Sequence, residues 1–223
     1  MNIFPQISGS IIDYDILVMG HLKWNRYFNE SPEDPPRGDP STCTSVLIRG
    51  FDKCGEEYVL IIDPTLRVSP EDYHFDINRR TGLRPHEITH LFCTHHHGDH
   101  IEGLNYFKNA KWCTSNEVIR DLKGTGAIDS SRLIPVEGEF LPGIYALSLP
   151  GHTDNLHGIA FGHRGKKIIV ASDAVMTKDH YEHNATEFQP DPEMNEVAAQ
   201  TIINIKESFD LVIPGHDNVI VNW

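Results

Sequence analysis

The chain predicts an α/β domain built on mixed β-sheets, and three observations carry that expectation. Short apolar runs rich in β-branched residues recur along it, several are continuous rather than alternating, and helical periodicity separates some of them. Continuous apolar runs suit strands covered on both faces, because a half-exposed strand would alternate.

In chain order the runs are DILVMG (15–20), TSVLIR (44–49), YVLIID (58–63), HLFCT (90–94), IYALSLP (144–150), GIAFG (158–162), KIIVAS (167–172) and DLVIP (210–214). IEGLNYFK (101–108) and SNEVIRDLK (115–123) read as short helices. The clearest helical pattern is DPEMNEVAAQTIINIKESF (191–209). There Asp191 can cap the N-terminus and Pro192 suits the first helical position. Its Met194, Val197, Ala198, Ile202, Ile205 and Phe209 form one apolar stripe that reads as core packing. Residues 28–42, with four prolines, and the polar, histidine-bearing 177–192 read as loops. No composition shift marks a linker and no fixed-period repeat appears, so residues 1–223 are expected to form a single domain.

Composition narrows the function. The chain has 223 residues, 39% of them hydrophobic, and a net charge of −13. That charge argues against broad binding to nucleic acid or anionic membranes, which relies on clustered Lys and Arg. Cys43, Cys54, Cys93 and Cys113 form no CxxC pair and are too sparse for a disulfide framework, which suggests reduced thiols. The N-terminus lacks a basic, then apolar, leader pattern, and no apolar run approaches the ~18 residues of a membrane span. The expected location is the cytoplasm.

The chemistry gathers in THHHGDH (94–100), with four histidines and one aspartate in seven positions. In extended backbone residues two apart share a side, so His95 and His97 can converge while His96 turns away. Asp99 precedes a helical pattern, and the change of geometry aims Asp99 and His100 at a second point. His152, Asp173 and His216 each stand just past an apolar run, where α/β sheets gather their sites. Five imidazoles and two carboxylates suffice for two metal ions with room for water. Such mixed N/O ligands suit Zn, Fe, Mn or Co. A lone His beside a strand is ordinarily a packed or exposed residue; the clustering is what carries the metal reading.

THHHGDH, followed by PGHT (150–153), SDA (172–174) and PGHD (214–217), resembles the metallo-β-lactamase-fold hydrolase superfamily from about Asp63 to His216. The resemblance implies a four-layer αββα sandwich, two mixed sheets flanked by helices, with metals at one edge. It places His95, His97 and His152 on one ion, Asp99, His100 and His216 on the other, and Asp173 between them. Asp63 matches an aspartate that supports the metal loop from behind, although a turn-former before Pro64 explains it equally well. β-Lactamases of this fold usually lack an aspartate at Asp173, and acyl-homoserine lactonases carry a tyrosine where this chain has Met176. The glyoxalase-type thioesterases add a C-terminal helical domain, and the RNA-processing members insert one.

The implied activity is a metallohydrolase with two divalent ions, zinc first and Fe or Mn as alternatives. A bridging hydroxide would attack a small ester, thioester, lactone or phosphoester, with Asp99 orienting it and accepting its proton. Two divalent ions, less the charges of Asp99, Asp173 and hydroxide, leave the site about +1 within a negative chain, which favours a small substrate with an anionic or polarised oxygen. His180, Tyr181 and His183 are candidate substrate contacts. The alternative is an iron-dependent oxidoreductase acting on sulfur compounds or oxygen.

Overall fold

Each of the eight apolar runs forms a strand in the computed structural model, which describes residues 4–7, 11–22, 42–65, 69–184 and 192–222. One sheet has the order β1 (Asp13–Val18), β2 (Ser45–Phe51), β3 (Glu57–Ile62), β4 (His90–Phe92), β5 (Lys111–Thr114) and β6 (Leu133–Pro135). It is antiparallel from β1 to β3 and parallel from β3 to β6. The other runs β12 (Ile220–Val221), β11 (Leu211–Pro214), β10 (Lys166–Ser172), β9 (His157–His163), β8 (Ile144–Ser148), β7 (Gly138–Leu141). It is antiparallel except between β10 and β11. Both sheets are therefore mixed.

The period-2 alternation of strand side chains explains the layering. Val46 and Ile48 of β2 join Ile168 and Val170 of β10 in the apolar layer between the sheets. Leu47 faces the other way, toward Tyr73 and Ile77 of α1 (Pro70–Thr81) and Val118 and Leu122 of α3 (Asn116–Thr125). Ile169 and Ala171 face outward from the second sheet onto Ile202 and Ile205 of α5 (Pro192–Ser208). The architecture is the four-layer αββα sandwich. The continuous apolar runs were continuous because both faces of those strands are covered.

The structure corrects several element readings. IEGLNYFK is not one helix: α2 spans only Gly98–Ile101, and a separate 3-10 turn follows at Leu104–Tyr106. Gly103 explains the break, since its N–H donates to the Pro64 carbonyl at 2.7 Å and a Cβ there would overlap that backbone. Part of the supposed loop 177–192 is α4 (Lys178–Glu182), capped by the Thr177 hydroxyl accepting from the His180 N–H. Residues 185–191, including Asp191, lie outside the described residues, as does 28–42 apart from Thr42. In α5 Val197 is 38% exposed, and the buried stripe is Ala198, Thr201, Ile202 and Ile205, with Phe209 just beyond the helix. The Met194 side chain falls outside the description. No helix among the described residues is long and apolar enough to cross a membrane.

Candidate metal centre

The site forms where β4, β8, β10 and β11 end, with Asp63 behind it at the end of β3. β4 stops at Phe92, so His95 and His96 lie in a bend rather than on an extended strand. The expected convergence nevertheless occurs, because His95 presents Nε2 and His97 presents Nδ1, 3.0 Å apart. His152 Nε2 comes within 3.0 Å of the same His97 nitrogen. His96 turns aside, with Nδ1 3.8 Å from Asp121 Oδ2. His97 caps α2, so Asp99 sits in the first turn of the helix instead of preceding it.

Asp173 stands between two donor sets. Its Oδ2 lies 3.2 Å from His152 Nε2 and 3.8 Å from His95 Nε2. Its Oδ1 lies 3.4 Å from His100 Nε2 and 3.2 Å from His216 Nε2. The Asp99 carboxylate is 3.8 Å from the Nε2 atoms of both His100 and His216. Two groups of donors thus each lie within 4.8 Å of one another: His95, His97, His152 and Asp173, and Asp99, His100 and His216. All seven sequence candidates are brought together.

The turns that make this possible carry recognisable costs. Asp63 and Ser172 have φ values of 47° and 50°, uncommon for residues with side chains, at the ends of β3 and β10. Asp63 offsets its own strain by accepting from Thr94 N–H and Oγ1 (2.8 Å each), Ser172 Oγ (2.9 Å) and His100 Nδ1 (2.8 Å). Both PGH glycines are close-approach positions. Gly151 (φ 142°) lies against the backbone of Ala198 in α5, while a Cβ on Gly215 would overlap Asp173 Oδ1.

Hydrogen bonds fix the tautomers. His100 Nδ1–H donates to Asp63, His216 Nδ1–H to the Thr42 carbonyl (2.9 Å) and His95 Nδ1–H to Thr94 Oγ1 (3.1 Å). Each proton is spent behind the ring, leaving the Nε2 lone pair toward the cluster, the usual backing of metal-binding histidine. Burial, with help from neighbouring rings, pulls His95 well below its ordinary pKa and His97 down to about 4. Those rings are neutral. Burial alone would raise Asp173 and lower His100 and His216. Instead the histidines hold Asp173 well below the usual carboxylate range, and the acidic groups facing them hold His100 and His216 above the ordinary histidine value, so this point calls for positive charge. Converging lone pairs cannot satisfy one another, and His100 Nε2 and Asp173 Oδ1 are buried without a hydrogen-bond partner among the described residues. A cation satisfies all of them, so the donor set fits divalent metal.

The remaining candidates separate. His180 is buried in α4, with Nδ1 accepting from the Met176 N–H at 3.2 Å, and burial followed by His152 lowers its pKa to about 4. Tyr181 packs in the outer core with Lys206 Nζ 4.7 Å over its ring, and His183 is exposed with Nδ1–H on the Asp179 carbonyl. Neither Tyr181 nor His183 joins the groups around Asp173, because α4 turns them away from it. Sequence reading missed Thr42, Cys43, Thr94 and Ser172. Thr94 and Ser172 adjoin ligands inside the motifs, whereas nothing local marks Thr42 or Cys43.

Comparison with known proteins agrees with this geometry. Residues 38–123 match the family model of the metallo-β-lactamase superfamily. Over that segment the chain is similar to the metallo-β-lactamase superfamily, and its relatives and structural neighbours include members of that superfamily. It is similar to metallo-β-lactamase domain-containing protein 1 of Xenopus laevis, 30% identical over 143 residues covering 60% of this chain and 56% of that protein. It is also similar to an N-acyl homoserine lactonase of a Bacillus species, 23% identical over 164 residues covering 68% and 64%. The chain therefore matches somewhat over half the length of these curated relatives. The fold matches that of a Bacillus thuringiensis AiiA variant solved with N-decanoyl-L-homoserine at its active site, with a TM-score of 0.65, 15% identity and 94% of each chain covered. Among the described residues, the two donor groups around Asp173 are built of histidine and aspartate without a thiolate.

Proposed function

We propose that this protein is a metal-dependent hydrolase that uses two divalent ions, zinc first with Fe or Mn as alternatives. Its substrate would be a small ester, thioester, lactone or phosphoester. The observation that supports two ions is the placement of Asp173, with one carboxylate oxygen toward each donor group. When bound, such ions supply Lewis acidity and lower the pKa of a coordinated water toward neutrality. The residues then divide the work. His95, His97 and His152 hold one ion and Asp99, His100 and His216 the other. Asp99, whose side chain is 26% exposed, stands at the mouth and can accept a proton from water there. Buried Asp63 orients His100.

Acyl chemistry comes first within that range, because relatives are named lactonases and one related structure holds an acyl-homoserine. The test joins elemental analysis to a panel of esters, thioesters, lactones and phosphodiesters. The expected result is two ions per chain, turnover in one class, and a loss of about hundredfold or more in Asp99→Ala. A ratio that stays near one after metal addition, or wild-type turnover by Asp99→Ala, would overturn the reading.

A further inference from the structure

Three consecutive residues, Thr42 to Thr44, touch both chain segments that carry the second donor group. The Thr42 carbonyl accepts from His216 Nδ1–H at 2.9 Å. The Thr44 N–H donates to the carbonyl of Gly215, next to His216, at 2.6 Å. Between them, the Cys43 thiol donates to the Asp99 carbonyl at 3.0 Å and lies 3.9 Å from that of Asp63. Cys43 is fully buried among these contacts.

Asp99 needs such a contact. α2 has only four residues, and among the described residues no hydrogen bond holds the Asp99 carboxylate, which lies 3.8 Å from His100 and His216. Its direction depends on where its backbone is held. The His95, His97 and His152 group is backed instead by Thr94 and the loop against α5.

We propose that Cys43 is a positioning residue, whose thiol pins the Asp99 backbone and thereby sets the affinity of the Asp99/His100/His216 group alone. This rests on the two-ion reading above. The thiol also lies within 4.8 Å of donor atoms of Asp63 and His100, so direct ligation is the competing role. Ligation would require loss of the hydrogen bond that the thiol now makes to the Asp99 carbonyl.

The experiment is competitive titration of the full chain with Zn2+ against a chromophoric chelator, repeated with Co2+ for its absorption spectrum. Cys43→Val fills the space without a donor; Cys43→Ser keeps a donor. Cys43→Val is expected to bind one ion as wild type does and the other about 10- to 100-fold more weakly, with Cys43→Ser restoring most of the loss. Melting of the chelated proteins checks that each variant folds. Equal weakening of both ions, or a serine variant as poor as valine while folded, would assign Cys43 a packing role and overturn the proposal. A thiolate-to-cobalt charge-transfer band in wild type that Cys43→Ser abolishes would overturn it in favour of ligation. Wild-type protein that binds only one ion would overturn the two-ion reading and this inference with it. Two ions in wild type with unchanged affinities in Cys43→Val would overturn the inference alone.

Discussion

His96 and His97 are neighbours with different tasks. His97 presents Nδ1 to His95 and His152 at 3.0 Å each, while His96 leans on Asp121 at 3.8 Å. His97→Ala should therefore remove one ion, and His96→Ala should leave metal content unchanged, as read by elemental analysis after dialysis. Equal metal loss in both would contradict the orientation of this bend. The contrast was legible in THHHGDH, though for a partly mistaken reason: the two rings converge through different nitrogens in a bend, not through the pleat of a strand. Cys43 and Thr42 were not legible, because they act on Asp99 and His216 across 56 and 174 positions, one through a thiol and the other through a backbone carbonyl. His180, Tyr181 and His183 were read as parts of a loop, whereas one turn of α4 buries the first two and exposes the third.

Elements position the ligands through close approaches that only glycine permits. Gly215 has no positive φ, so alanine would fit its backbone; the obstacle is Asp173 Oδ1, with the Ser172 backbone 3.0 Å from the added carbon. Gly165 is the reverse case, with φ 75° and nothing within 4 Å of the place an alanine methyl would take. Gly215→Ala should displace Asp173 and weaken both ions together, while Gly165→Ala should cost about 1–2 kcal/mol of stability and leave metal affinity intact. Zinc titration and thermal melting distinguish them, and unchanged affinity in Gly215→Ala would refute the close-approach argument. Among elements, the buried central strands were legible because both faces are apolar. β5, β6, β7 and β12 have two to four residues each, too few to show a period. α1 escaped because it buries only Tyr73 and Ile77, although Ser69 and Gly82 cap its ends.

Across the whole molecule the ligands come from both sheets: His95 to His100 follow β4, while His152, Asp173 and His216 follow β8, β10 and β11. Bound ions would therefore tie the two sheets at one edge, and folding and binding would be linked. Metal at a thousandfold above its dissociation constant adds about 4 kcal/mol, roughly 8–16 °C in melting temperature for a chain of this size. Chelation should lower the melting temperature on that scale. Acid should act on the chelated protein through its half-buried histidines. Burial, followed by Lys111, holds His90 of β4 at about 4, against 6.5 for an ordinary histidine, and burial holds His97 there too. The unfolded chain takes up these protons near pH 6.5 and the folded chain only near pH 4. Stability from the neutral rings is thus complete above pH 6.5 and falls as pH drops toward 4. His90 Nδ1–H donates to Thr89 Oγ1, whose own proton goes to the Val59 carbonyl, and His90 lies outside the metal groups, so His90→Gln isolates one such proton. The chelated variant should lose melting temperature less steeply than wild type between pH 6.5 and 4. Identical slopes would mean that His90 is protonated in the folded protein, contrary to its burial.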